Sequence, residues 1–222
     1  MASGYDRCAG AYLSARSPDP SPELSLLAER LGQTARILDI GCGAGLPVTA
    51  ALARMGSVVG VDISSAQIEL ARANVPSARL IQGDIMAQAY AAASFDAVVA
   101  FYALFHLPRA EHAELIARVT RWTAPGGYLL ATLPGSADSA CIESDFFGVT
   151  MYWSHYDASW YCDRLEHLGW RILHLGELGH GFKNHLDIQP ERHPVVLARL
   201  ANDAQAGSRR HDRPGQTRAA GV

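Results

Sequence analysis

Ile37-Leu38-Asp39-Ile40-Gly41-Cys42-Gly43-Ala44-Gly45 is an apolar run that passes directly into a turn with three glycines in five residues. The run reads as a buried strand, because strands covered on both faces are near-continuously apolar rather than alternating. Glycine permits positive φ and lets a ligand lie against bare backbone, so the turn ends a strand and also opens a place for a ligand to approach. Helical spacing resumes over 47–55, with Pro47 at a first-turn position where its missing N–H costs no hydrogen bond. A strand, a glycine turn and a helix in succession form the first half of a βαβ unit, and ligands of such sheets sit at the carboxyl ends of the strands.

Working outward, further apolar runs at 57–63, 78–82, 97–102 and 128–133 read as parallel strands, and 65–74 and 109–122 carry helical spacing between them. The core is therefore an α/β, doubly wound sheet. Two more strands at 170–175 and 195–200 complete seven. Between residues 134 and 157 the rhythm changes to glycine, serine and aromatics, and a helical pattern returns over 158–168. That insertion is expected to cover the working edge of the sheet as a small aromatic-rich cap. At the start, a helix over 5–15 is separated by Pro18, Pro20 and Pro22 from another over 23–31. Residues 202–222 are polar and aperiodic, so they are expected to be disordered. The main domain is placed at 1–201, with 1–22 as an N-terminal capping segment.

The 222 residues suit one domain, and 49% hydrophobic with 18% charged residues and a net charge of −3 excludes a disordered chain or a generic polyanion binder. No apolar stretch approaches the roughly 20 residues of a membrane span, and no signal pattern opens the chain, so a cytoplasmic protein without membrane partners is expected. Cys8, Cys42, Cys141 and Cys162 are widely spaced with no CxxC pair, which predicts reduced thiols and no metal site.

Asp62 ends the second strand, where a carboxylate can accept from both hydroxyls of a ribose. The dinucleotide fingerprint GxGxxG requires glycine at 46, but this chain has Leu46 and reads GxGxG. LDIGCGAG resembles the first motif of class I S-adenosylmethionine-dependent methyltransferases. Gly83-Asp84-Ile85 resembles that family's adenine-contacting acidic turn, and Ala124-Pro125-Gly126-Gly127-Tyr128 its turn before the fifth strand. The resemblance spans residues 35–133 and implies a Rossmann-like seven-stranded sheet of order 3-2-1-4-5-7-6 with the last strand antiparallel. It implies S-adenosylmethionine as methyl donor, S-adenosylhomocysteine as product, and no metal. By position, Gly41, Gly43 and Gly45 make room for the methionine part and Asp39 sits near its amino group. Asp62 holds the ribose, Ile63, Asp84 and Ile85 meet the adenine, and Phe101 lines the sulfonium side. Tyr12, on the N-terminal helix, is placed to reach the cofactor carboxylate. Each has a plainer reading as well: the glycines as a tight turn, Asp62 as a helix N-cap, Asp84 as a turn aspartate.

Methyl transfer is an in-line displacement, in which holding donor and acceptor aligned can supply about 7–11 kcal/mol. A base matters only for an acceptor that must lose a proton, and histidine suits that task. His106 follows the fourth strand near the expected methyl position, where it either acts as a base or hydrogen-bonds backbone. His155 lies in the insertion with Asp157 as a candidate orienting partner. Tyr152, Trp153 and Tyr156, within the cluster Phe146, Phe147, Trp160 and Tyr161, either wall a planar substrate or form the core of the cap. No Asn/Asp-Pro-Pro-Tyr/Phe motif or basic stripe indicates nucleic acid, and no paired-glutamate loop indicates protein arginine. A small-molecule acceptor remains, with a secondary metabolite expected by analogy. The rival readings are a nicotinamide-dependent oxidoreductase, disfavoured by Leu46, and a non-catalytic S-adenosylmethionine-binding regulatory module.

Overall fold

A computed structural model describes residues 1–178, 181–183 and 193–202. The chain runs α1 (Ala2–Ala15), α2 (Glu23–Ala28), β1 (Ala35–Ile40), α3 (Val48–Leu52), β2 (Gly56–Asp62), α4 (Ser65–Asn74), β3 (Arg79–Gln82), β4 (Phe95–Ala100), α5 (His112–Trp122), β5 (Thr123–Thr132), β6 (Asp138–Phe146), β7 (Val149–His155), α6 (Ala158–His167), β8 (Trp170–Leu178) and β9 (His193–Leu200). Seven strands form one sheet in the order β3-β2-β1-β4-β5-β9-β8. β1 through β5 are parallel, and β9 runs antiparallel to both β5 and β8. With the two hairpin strands β6 and β7 set aside, this is the expected order 3-2-1-4-5-7-6.

Alternation along the central strands sends successive side chains into two cores. Leu38 and Ile40 of β1, with Val98 and Ala100 of β4, pack under α5 and α6, where Leu115, Val119, Trp122, Tyr161 and Leu165 close the layer. Ala35 and Ile37, with Ala97 and Val99, face the other way and pack under Leu24 and Leu27 of α2 and Leu52 of α3. Ile37, Leu38, Val98 and Leu130 are fully buried, each worth about 1.5–3 kcal/mol of transfer free energy on burial. The polar ends of the sheet, where strands give way to turns, are thus held by a rigid layer on either side.

The segment expected as a cap over 134–157 is a β-hairpin, β6 and β7 joined by Phe147 and Gly148, both at positive φ (+52° and +79°). Its β7 strand packs on α1 and on the turn after β4. Among the described residues, no helix is long and apolar enough to cross a membrane, and no group of three His, Cys, Asp or Glu side chains is placed to hold a metal ion. The expected disordered tail, apart from Asn202, and His180 and His185 lie outside the described residues.

Candidate active site

A cavity of about 250 Å³ opens across the carboxyl ends of β1 to β4, with Met1, Tyr5 and Tyr12 of the N-terminal segment on its far side. A smaller recess of about 50 Å³ shares Tyr12, Gly41, Gly43, Phe101 and Tyr102 with it. Together they reach the lower end of the range for small-molecule sites, about 300–1,000 Å³.

The floor is the turn after β1. Gly41 has φ +70°, and a Cβ there would stand 2.6 Å from the Cβ of Ala103, so the position admits no side chain. Gly45 has a different task. At φ +82° it packs against α4, where a Cβ would approach Val75 Cγ2 to 2.9 Å, and it lines neither the cavity nor the recess. Leu46, where the dinucleotide pattern has its third glycine, is 43% exposed and lines the recess.

Asp62, at the end of β2, faces the cavity. Its Oδ2 accepts from the Gly43 N–H and its Oδ1 from the Ser64 N–H, both at 2.9 Å. Burial pushes its pKa up, opposed by those two amides. The N-cap of α4 is Ser64, whose hydroxyl accepts from the Gln67 N–H, so the carboxylate of Asp62 is not used as the cap. Beyond it, Ile63, Asp84 and Ile85 line the same wall. Asp84 Oδ1 also accepts from the Met86 N–H at 2.8 Å, closing its own turn. Phe101 lines both chambers, and Tyr102 beside it holds φ +53° while donating its N–H to Thr132 Oγ1. A non-glycine residue in the left-handed region stores strain, and such residues cluster at functional sites.

Asp39 lies in the recess, 2% exposed, accepting from Thr49 Oγ1 at 2.7 Å. Burial raises its pKa to about 7 against the help of Thr49. Arg16, just past α1, lines the recess too and stacks over the Tyr102 ring at 4.7 Å. A buried acid and a guanidinium thus share one small chamber.

The N-terminal segment is fastened at two places. Asp6 Oδ1 accepts from Ser64 Oγ (2.7 Å), Ala66 N–H (3.1 Å) and Ser65 Oγ (3.3 Å), tying α1 to the start of α4. The hydroxyl of Tyr5 meets His106 Nε2 at 3.0 Å. His106 lines the cavity, and burial lowers its pKa to about 3. It is therefore neutral at physiological pH, which suits a hydrogen-bonding anchor for α1 better than a proton acceptor. Asp6→Ala is expected to loosen α1: amide exchange over 2–15 should quicken relative to the rest of the sheet, and unchanged exchange would contradict the anchoring. The Ser64 hydroxyl and Ala66 amide hold the Asp6 pKa below its ordinary value. The anchor therefore persists above pH 4 and is lost only as pH falls through that lowered value.

The structure does not bring the hairpin residues into the cavity. His155 ends β7 beside Phe105, ring centroids 6.4 Å apart, with a buried Nδ1 that has no hydrogen-bond partner. Asp157 does not orient it, because its carboxylate caps α6 through the Trp160 N–H and the Ser159 hydroxyl. Strand alternation separates Tyr152, 56% exposed and paired with Ile142, from Met151 and Trp153, which face α1. Tyr156 stacks on Trp160 at 3.9 Å beneath Arg109. His155, Tyr152, Trp153 and Tyr156 all lie outside the cavity lining, whereas Tyr12, Gly41, Gly43, Asp62, Ile63, Asp84, Ile85, Phe101 and His106 belong to it. Sequence reasoning missed Arg16, Gln67 and Tyr102 as lining residues. Tyr5, which belongs to the Tyr5-Asp6-Arg7 stretch that with Tyr12 resembles the family's capping helix, lines the cavity beside Tyr12.

A family profile described as a methyltransferase domain matches residues 37–127, from β1 through the turn within β5. That stretch is similar to methyltransferase domains, as the resemblance of its glycine turn to the class I S-adenosylmethionine-dependent family implied. Among curated proteins similar to this chain, the trans-aconitate 2-methyltransferase of Deinococcus radiodurans is 35% identical over 133 residues, 58% of this chain and 48% of that protein. The chain thus spans about half the length of the curated relatives it matches. Solved structures agree on the family fold. A methyltransferase from Methanosarcina mazei superposes with a TM-score of 0.70 at 20% identity, covering 83% of this chain and 100% of that one. The 1,6-didemethyltoxoflavin-N1-methyltransferase of Burkholderia thailandensis, solved with its substrate and S-adenosylhomocysteine, gives 0.64 at 16% identity, covering 89% and 84%.

Proposed function

We propose that this chain binds S-adenosylmethionine in the joined cavity and recess and transfers its methyl group to a small-molecule acceptor. The observation that carries the reading is the charge layout around the glycine turn: Asp62 in the cavity, and a buried acid with a guanidinium, Asp39 and Arg16, in the adjoining recess. That layout fits a ligand with a sugar at one end and a zwitterionic amino acid at the other. Gly41 and Gly43 would let the chain of the ligand cross bare backbone between the two chambers. Ile63, Asp84 and Ile85 would hold the adenine, and Phe101 and Tyr12 would close the space between them. When bound, the cofactor supplies an electrophilic methyl group on sulfur.

The residues of this chain contribute alignment and exclusion of water. Tyr5, held to neutral His106, keeps α1 over the cavity, and the hairpin backs α1 through Met151 and Val149. We place the acceptor against Phe101, Tyr102, Ala103 and His106, with no base required for an acceptor already unprotonated at the attacking atom. A secondary metabolite is the acceptor class expected by analogy, and the similar trans-aconitate 2-methyltransferases name a small carboxylic acid as the other candidate class. The test is release of S-adenosylhomocysteine from S-adenosylmethionine with a panel of small acceptors, trans-aconitate included. Acceptor-dependent release supports transfer, and binding of both cofactor forms without release above background for any acceptor contradicts it.

Asp39 gives the reading a pH signature. Its carboxyl holds a proton up to about pH 7 in the folded chain, whereas unfolded aspartate loses it near pH 3.9. Stability from this group therefore falls as pH rises between those values. A ligand ammonium near Asp39 favours the ionised form, so binding at pH 6–7 is expected to release a fraction of a proton. Calorimetry of S-adenosylhomocysteine in buffers of different ionisation enthalpy measures it. A slope of zero would contradict the placement of the ammonium group.

A further inference from the structure

α1 ends at Ala15 with no basic side chain in its last turn, and its final carbonyls need donors from outside the helix. Lys183, the single lysine of the chain, supplies them from between β8 and β9. Its Nζ donates to Ser14 O at 2.6 Å and its N–H to Ala15 O at 2.9 Å. A cation at that end also complements the helix dipole. The two segments meet again where Ser17 N–H donates to Gly181 O at 2.8 Å, and an antiparallel bridge joins Arg16 to Phe182. Residues 14–17 and 181–183 thus form a short clasp with Arg16 at its centre. Gly181, at φ +69°, lies so close that a Cβ there would stand 2.8 Å from Arg16 Nη1. The guanidinium lies 4.7 Å from the Tyr102 ring, 5.5 Å from Phe182 and 5.7 Å from Tyr12. Arg16, Tyr12 and Tyr102 line the recess, whereas Phe182 lines neither chamber.

We propose that Phe182 is a positioning residue: with the clasp, it holds Arg16 in the recess for the carboxylate at the amino-acid end of the cofactor. This rests on the cofactor reading given above. A guanidinium on a long stem loses rotamer freedom when it pairs with a ligand, and a side chain already held in place loses less. Aromatic faces suit that task, because they attract the cation without neutralising it, so its charge stays available to a carboxylate. Phe182 also meets the Tyr12 ring edge-on at 5.7 Å and the Phe147 ring of the hairpin turn at 5.5 Å, which fixes its own place. A residue that only kept α1 in position would serve every part of the ligand alike, since α1 also brings Tyr5 and Tyr12 to the cavity. One that aims Arg16 serves the carboxylate alone.

The experiment is calorimetry on the full chain with S-adenosylhomocysteine and with 5′-methylthioadenosine, which keeps the nucleoside and sulfur but lacks the amino-acid end. Phe182→Leu, and Lys183→Met as a second way to loosen the clasp, are expected to bind S-adenosylhomocysteine roughly three- to thirtyfold more weakly. Both should bind 5′-methylthioadenosine as wild type does. Phe182→Tyr, which keeps the ring, should restore S-adenosylhomocysteine binding. In an Arg16→Met background, itself weakened for S-adenosylhomocysteine, Phe182→Leu should cause no further loss. Wild-type affinity in Phe182→Leu, an equal loss for both ligands, or an undiminished effect of Phe182→Leu on top of Arg16→Met overturns the assignment. So does loss of the fold in both Phe182→Leu and Lys183→Met, which would make the clasp a structural tie. Wild-type protein that is folded yet binds no S-adenosylhomocysteine removes the cofactor reading itself, a result distinct from the others.

Discussion

Asp62→Ala is expected to weaken S-adenosylhomocysteine binding by at least tenfold and by as much as several hundredfold. The carboxylate is oriented before any ligand arrives, one oxygen taking the Gly43 N–H and the other the Ser64 N–H at 2.9 Å each. Hydrogen bonds to a charged group contribute about 1.5–3 kcal/mol each, and tenfold in affinity is about 1.4 kcal/mol. Truncation removes the acceptor for the ligand and also leaves two inward N–H groups without their partner. Asp62→Asn separates the two effects, since it keeps the shape and one accepting oxygen while its NH₂ group cannot accept from the backbone amide it faces. It should weaken binding by an intermediate amount. Equilibrium binding on variants shown to be folded is the measurement, and wild-type affinity in Asp62→Ala would contradict the placement of the sugar.

Gly41→Ala carries the second large effect, on stability as well as binding. A left-handed alanine costs about 1–2 kcal/mol, and the added Cβ meets Ala103 Cβ at 2.6 Å, an overpacking that costs about 1–3 kcal/mol more. The sum, about 2–5 kcal/mol, should appear as an earlier urea midpoint. Because Ala103 follows β4 and lines the cavity, relief of the clash must move the cavity floor. Gly10→Ala, at an open helical site with nothing within 4 Å of the added Cβ, is the control and should not destabilise. Equal midpoints for Gly41→Ala and wild type would mean that the turn is not held as described.

Much of this architecture was legible in the sequence because the decisive elements are bounded by residues with one physical reading. β1 (Ala35–Ile40) ends where the apolar run gives way to glycine, and α4 (Ser65–Asn74) falls on its predicted limits: a glycine turn closes the first, and Ser64, a capping type, opens the second. β4 ends at Ala100 rather than at 102. The apolar run continues because Phe101, Ala103, Leu104 and Phe105 are buried in the turn that follows the strand, and hydropathy does not distinguish a buried turn from a strand. The hairpin left no strand signal. β6 is mostly exposed and carries aspartate, glutamate and serine, and its turn places Phe147 rather than asparagine or aspartate at positive φ. The cavity wall could be read because Gly41, Asp62, Asp84 and Phe101 follow strands in order. Arg16 and Gln67 could not, since each looks like an ordinary polar position on or beside a helix until the fold turns it inward. The hairpin aromatics misled for a related reason: alternation sends neighbours to opposite faces, and composition alone does not say which face meets the cavity.

The central claim is that the joined cavity and recess take S-adenosylmethionine and its product. Calorimetric titration of the purified full chain with S-adenosylhomocysteine tests it most directly. One site per chain with micromolar affinity or tighter is the expected result, about −8 kcal/mol or more favourable, and competition by S-adenosylmethionine should follow. No binding in protein shown to be folded would contradict the account and leave a family fold whose cavity serves another ligand.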